Sequence, residues 1–343
     1  MKFSKFTQLA LALSTFLGMW MPGGELHAAG KSCHRGFIVF AGQDAKGKVV
    51  FVMENTQSRG DKWDWTQASQ AAWLYDENSG WVKLKNPYGK PFQKNSGKRI
   101  GGEWQYQFAA GYQPKMSVHS DENDLHLSVL ADQVALKSKS RNAQMVIANG
   151  AGSLTWKDRK LTGKVYMRDD LHLGMGSSDL YFANAKGSHR EAFHVGVGES
   201  GIMSMVRTNA KDFVPLAGEM NLSLLLDSVS ALAENLQVEA TAWKRLGFYE
   251  FPTEWQGTFS IEGRQAMFKL ISQDFQTTEY LLLAGTRIAG ARGFLCFDGE
   301  TYPLFGVTEV EGRLEGRKQI EEAQWRTRPA AITPGKTWEA TVR

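Results

Sequence analysis

The sequence predicts an all-β protein of two β-barrels or strongly curved β-sandwiches behind a secretion signal. Three observations carry this. Strand-like runs with period-2 alternation dominate, as in Trp104, Tyr106 and Phe108 or Leu125, Leu127 and Val129. Gly-containing polar turns recur about every ten residues, the spacing of sandwiches and barrels. Helical periodicity is almost absent, and the one stretch that suggests a helix is Ser228–Leu236.

Residues 1–29 have the order of a cleaved signal peptide. Lys2 and Lys5 come first, then an apolar run from Leu9 to Met21, then Pro22-Gly23-Gly24 and the small residues Ala28, Ala29 and Gly30. Cleavage is expected between Ala28 and Lys31. Cys33 follows Gly30-Lys31-Ser32, which is not a lipid-attachment box. No later stretch approaches the roughly 20 apolar residues of a membrane span. The mature chain is therefore expected in a periplasm or outside the cell, with peripheral membrane contact left open.

Strands follow in order. Gly36–Phe40 and Lys48–Glu54 flank the turn Asp44–Gly47, and Ala71–Tyr75 and Trp81–Lys85 flank Asp76–Gly80. Ser153–Trp156 and Leu161–Tyr166 form a third hairpin, and Phe193–Gly198 with Ile202–Arg207 a fourth. Gly293–Phe297 and Thr301–Phe305 flank Asp298-Gly299, and Asp-Gly is a strong hairpin signal. A division follows: an N-terminal domain over 30–215, a C-terminal domain over 216–325 and a tail over 326–343, with the crossing between halves in 209–240.

The net charge of +4 falls to about +3 without the signal and is spread along the chain, so nucleic acid is not an expected partner. Cys33 and Cys296 are the two cysteines. An oxidising compartment permits a disulfide between them, and two unpaired thiols are the alternative. P-loop, Gly-x-Ser-x-Gly, His-Glu-x-x-His and Cys-x-x-Cys patterns are missing, and no metal or cofactor is expected. His189 and His194 form a loose pair near a turn, read as solvated or capping.

Two groups of residues invite a functional reading. Tyr166–His172, running into Gly174–Asp179, is the densest polar cluster. As a loop, it could set a carboxylate beside a histidine at a cavity mouth, or simply satisfy turn amides. Eleven tryptophans, with Trp63, Trp65, Trp73 and Trp81 crowding the first third, could wall a pocket, stack on sugars or fill a core.

The C-terminal half resembles a known family. Trp243, followed by Tyr249-Glu250-Phe251-Pro252-Thr253-Glu254-Trp255, is similar to the Trp…Tyr-Pro…Trp segment of the AttH-like family, which includes carotenoid hydratases (hydroxyneurosporene synthases). Gly306–Gly312 resembles its Gly-Tyr-Val-Glu-Leu-Thr-Gly ending. Ser153–Trp156 with Gly163–Tyr166 resembles the strand pair before its Asp-Arg-Glu-Trp motif, at which this chain has Arg168-Asp169-Asp170-Leu171-His172. The resemblance implies two lipocalin-like barrels in tandem. It also implies, for enzymatic members, addition of water across an isoprenoid double bond with a carboxylic acid as proton donor. That role would fall to Asp169 or Asp170, with His172 and Glu309 as helpers. The leading expectation is a carrier of an apolar or amphipathic small molecule, lipid or isoprenoid-like, walled by Trp104, Trp243, Tyr249, Trp255 and Tyr302. A hydratase, cyclase or isomerase and a carbohydrate-binding protein are the alternatives.

Overall fold

The computed structural model describes residues 32–59, 68–85, 100–101, 104–108, 115–139, 143–173, 189–199, 201–209, 220–226, 229–246, 249–281, 284–312 and 314–322. The expected signal segment, Trp63, Trp65, Gly174–Asp179 and the C-terminal tail lie outside them.

Ten strands form the first sheet: β1 (Ser32–Asp44), β2 (Gly47–Arg59), β3 (Ala68–Asp76), β4 (Gly80–Val82), β5 (Ile100–Gly101), β6 (Trp104–Phe108), β7 (Lys115–Ser120), β8 (Leu125–Lys139), β9 (Ala143–Trp156) and β10 (Arg159–Leu173). Nine form the second: β11 (His189–Val197), β12 (Gly201–Thr208), β13 (Met220–Leu226), β14 (Val229–Leu232), β15 (Glu234–Leu246), β16 (Tyr249–Ile261), β17 (Arg264–Leu281), β18 (Ala284–Phe297) and β19 (Glu300–Gly312). The helix α1 (Leu314–Glu322) follows. Both sheets share one plan. The first and last strands pair at the centre, β1 with β10 and β11 with β19, and antiparallel meanders run outward to open edges. Each sheet curls into a half-barrel around its own core. Among the described residues no helix is long and apolar enough to cross a membrane.

The register explains the sequence pattern. Ile38 and Phe40 enter the first barrel's core, while Val39 and Ala41 face the second sheet. Strands buried on both faces read as continuous apolar runs, and β1, β2 and β12 do. Strands with a wet face alternate instead. Phe268 and Leu270 of β17 are buried, while Met267 between its turn and core is 48% exposed. Between the sheets lies a third core, in which Val39, Val52, Trp73, Tyr75 and Tyr166 meet Ala192, Ile202, Val206, Phe305 and Val307.

Three expectations are corrected here. Ser228–Leu236 is not a helix: Val229 pairs with Leu226 and Ala231 with Leu224, and Asn235 has φ of 50°, which a right-handed helix excludes. Cross-strand pairing overrides local propensity there. The change of sheet falls between Leu173 and His189, earlier than 209–240, because β11 and β12 hydrogen-bond into the second sheet. Tyr166–His172 is not a loop but the second half of β10, paired in unbroken register with β1 and β9.

Candidate functional site

A cleft of about 550 Å³ opens where the β3–β4 hairpin meets β17 and β18 of the other sheet. The hairpin is shaped by Asp76, whose Oδ1 accepts the backbone N–H groups of Asn78 at 3.0 Å and Ser79 at 2.8 Å and the Ser79 hydroxyl at 2.9 Å. Such side-chain-to-backbone bonds fix a turn, and this one presents Glu77, Asn78, Ser79 and Trp81 to the cleft. Opposite stands Asp274, the extra residue where the β17–β18 register shifts between Gln273 and Phe275. Its φ of 53° is left-handed, an uncommon conformation for an aspartate and a place where bulges re-aim side chains.

Both aromatics of the hairpin fasten to that bulge. Tyr75 Oη donates to Asp274 Oδ2 at 3.0 Å, and Trp81 Nε1 donates to the Asp274 carbonyl. Burial first, and the Asp274 carboxylate second, raise the pKa of the Tyr75 phenol, which keeps it a donor. Gly290 makes room for the ring, since a Cβ there would stand 2.2 Å from Tyr75 Cζ. Tyr75 stacks on Phe305 at 5.1 Å, over which Arg292 also sits at 5.5 Å. Arg292 Nη2 then donates to the Glu77 carbonyl at 3.0 Å, a second tie across the sheets.

A separate, closed ionic centre lies inside the second barrel. Glu191 is fully buried and takes Arg207 Nη2 at 2.5 Å, His189 Nε2 at 3.1 Å and the Trp255 indole N–H at 3.1 Å. Burial alone would raise its pKa, but Arg207, His189 and Trp255 together hold it down to about 2. On the opposite face of β11, between the sheets, Arg190 Nη1 pairs with Glu309 at 2.8 Å. His194 Nδ1 lies 2.6 Å from Ser204 Oγ. His189 and His194 are thus buried and on opposite faces, correcting their reading as solvated or capping. Five residues apart on a strand is an odd spacing, which also separates them as ligands. Among the described residues no three His, Cys, Asp or Glu side chains gather as a metal site.

Burial foremost, then Arg190 and Arg168, push the pKa of His194 well below 6.5, so the native state holds a neutral imidazole. The unfolded chain binds that proton more readily, so stability is full above 6.5 and falls as pH drops below it. Acidification from pH 7 to pH 5 is expected to lower stability through this group. Urea unfolding across that range checks it, with His194→Gln as the variant that should flatten the slope.

The sequence-predicted site residues are dispersed. Asp169, Asp170 and His172 sit on β10 opposite Gly36, Arg35 and Cys33, and Trp104 on β6 opposite Gly101. The side chains of these four lie outside the described residues. Glu309 is held in the ion pair with Arg190. Tyr249 and Trp255 are buried in the second barrel, and Tyr302 packs half-buried against that core. Trp243 is covered by the Arg317 guanidinium of α1 at 4.0 Å. Of the expected wall aromatics whose side chains are described, Trp243, Tyr249, Trp255 and Tyr302, none lines the cleft. Cys296 is a free thiol 3.6 Å from Thr301 Oγ1. It sits at a hairpin end of the second sheet, whereas Cys33, whose side chain lies outside the described residues, starts the central strand of the first.

Sequence reading missed Glu191, Arg207, Asp274 and Arg292. For the first two a signal existed: a carboxylate and a guanidinium inside otherwise apolar, fully buried strands. Asp274 and Arg292 meet Tyr75 and Trp81 only through the packing of two sheets.

No protein family and no curated protein sequence matches the chain. Solved structures do. CghA with Sch210972 superposes with a TM-score of 0.51 at 13% identity, over 82% of this chain and 89% of that one. A Nitrosomonas europaea protein described as an AttH gives 0.53 at 9% identity, over 82% and 93%. The chain therefore has the tandem lipocalin-like fold of AttH-like proteins.

Proposed function

We propose, from this tandem lipocalin-like fold, that the protein is an exported carrier that holds an amphipathic small molecule at the junction of its two sheets. One observation carries the reading: a cleft of about 550 Å³ built by both sheets, with Trp81, Tyr75 and Phe275 beside Glu77, Asp274 and Arg292. That size suits a single small ligand, and a mixed aromatic and charged wall suits one with an apolar body and a polar head. The barrel cores are less suited, since their described interiors are filled by side chains such as Phe40, Phe51, Phe259 and Phe268.

Acid-catalysed hydration needs a carboxyl kept neutral near pH 7. Glu191 is instead held ionised and Glu309 is paired with Arg190, so these two acids support binding over protonation. Native mass spectrometry of the protein recovered from its host tests the proposal. It should show a chain shortened by cleavage between Ala28 and Lys31, carrying a bound small molecule that is lost from the Trp81→Ala variant. A full-length, ligand-free chain, or a ligand that Trp81→Ala retains, would sink it.

A further inference from the structure

The cleft's charges and rings say more about its occupant. Glu77 and Asp274 contribute two carboxylates to the lining beside the Arg292 guanidinium, and Glu77 Oε2 already accepts the Lys48 backbone N–H at 3.0 Å. Arg292 is turned away from a ligand role by its bond to the Glu77 carbonyl and its place over Phe305. Lys244 and Arg287 already stand over Phe275, at 5.2 Å and 5.4 Å. The remaining ring is Trp81, half-buried, tilted against Tyr75 at 4.9 Å between centroids and clamped by its indole N–H to the Asp274 backbone. An indole face beside a carboxylate attracts an organic cation, because the ring quadrupole and the carboxylate act in the same direction.

A non-glycine residue in the left-handed region costs conformational energy, and strain of this kind gathers at ligand sites. Here the strained residue is an exposed acid at the cleft wall, buttressed by Tyr75 and by the space at Gly290. From the cleft a partly apolar strip leads outward, crossed by Lys269, which pairs with Phe294 across the strands and is itself bound to Glu254. Ile271, 47% exposed, pairs directly with Arg292. Phe294, 37% exposed, follows on the same face of β18, and Met267 continues the path on β17.

We propose that the cleft binds amphipathic amines. The alkylammonium head sits between the Trp81 ring and the Asp274 carboxylate, with Glu77 beyond, and the apolar tail lies along Ile271, Phe294 and Met267. This rests on the carrier reading and names the ligand class. No bond is made or broken.

Three probes with one tail separate the outcomes: decyltrimethylammonium, decyl sulfate and decyl maltoside, each below its micelle concentration, titrated against the full mature chain by calorimetry. The ammonium probe should bind tightest and weaken with added salt. Asp274→Asn should lower its affinity about tenfold or more while leaving decyl maltoside unchanged. Asparagine tolerates the left-handed conformation, so the variant should keep its melting temperature, and Glu77→Gln gives a second, smaller loss at another position. Tightest binding of decyl sulfate, or an ammonium affinity indifferent to both substitutions, overturns the amine assignment. If the host-derived ligand is still lost from Trp81→Ala, the carrier reading survives that result. A protein that binds none of the probes and comes from its host empty loses both.

Discussion

Glu191→Ala is expected to lower the unfolding free energy by about 3–5 kcal/mol, because it leaves Arg207 as an uncompensated charge in the second barrel. The pair is almost dry, with side-chain exposures of 4% and 0%. The same substitution also strips the Trp255 indole of its acceptor. Glu254→Ala is the fitting contrast. It removes a partner of Lys269 at 2.8 Å, but with exposures of 40% and 27%, and such pairs contribute about 0–1 kcal/mol. Urea unfolding followed by tryptophan fluorescence separates the two cases. A loss below about 1 kcal/mol for Glu191→Ala would mean that water reaches the pair and the barrel end is open. Removing Arg207 as well should return part of the loss, since the desolvated charge then has nothing left to offset. The sign with pH follows from the same contacts. A carboxylate lowered from 4.5 to about 2 stabilises the fold above 4.5, and that contribution disappears as pH falls toward 2.

Arg159→Met should cost about 3 kcal/mol for a different reason. Arg159 ties together the hairpin ends of the first barrel. It meets Asp44 at 2.6 Å and 2.8 Å, bonds Asp76, and donates to the Gly47 carbonyl at 3.0 Å. The Arg159 bond, more than any other contact, holds the Asp44 pKa below its ordinary value. Asp76 is lowered too: burial would raise it, but the Ser79, Arg159 and Asn78 bonds prevail. Methionine fills the same volume and removes the charge, leaving two carboxylates in one site with no cation between them. Nearby, Lys46 and Asp158 pair at 2.5 Å with exposures of 58% and 75%. Lys46→Ala should be close to neutral. Thermal unfolding at pH 7 distinguishes the two, and equal shifts for both variants would show that the Arg159 cluster carries no special weight.

The strands were legible in the sequence because alternation and turn chemistry are local. Asp298-Gly299 is the plainest case: both residues have positive φ, 55° and 82°, as a tight hairpin demands. What went unread depends on partners far along the chain. Ser228–Leu236 carries helix-compatible residues, and only β13 and β16 make it strand. The helix that does form, α1, has a weak apolar stripe and a glycine, Gly316, buried within it. It is secured by Arg317, which covers Trp243 and bonds Glu250. Tyr166–His172 looked like a polar loop because charges in a strand centre are costly unless paired. Arg168 is buried there nonetheless. The cleft was the least legible of all. Its two walls are about 190 residues apart in sequence, as the 193-residue span of the Trp81–Asp274 bond shows, and no local pattern encodes that meeting.

The core shared between the sheets bears on association as well as stability. The two half-barrels share one connectivity, and each presents an apolar face that the other covers. Val39, Val52 and Trp73 on one side, and Ala192, Ile202 and Val307 on the other, are buried only because the opposite half is present. A half released alone would show water an apolar face of the kind that drives association. A change on one face of the seam therefore alters what the other packs against. The cleft at its rim is made of residues from both, so it exists only where the two halves meet.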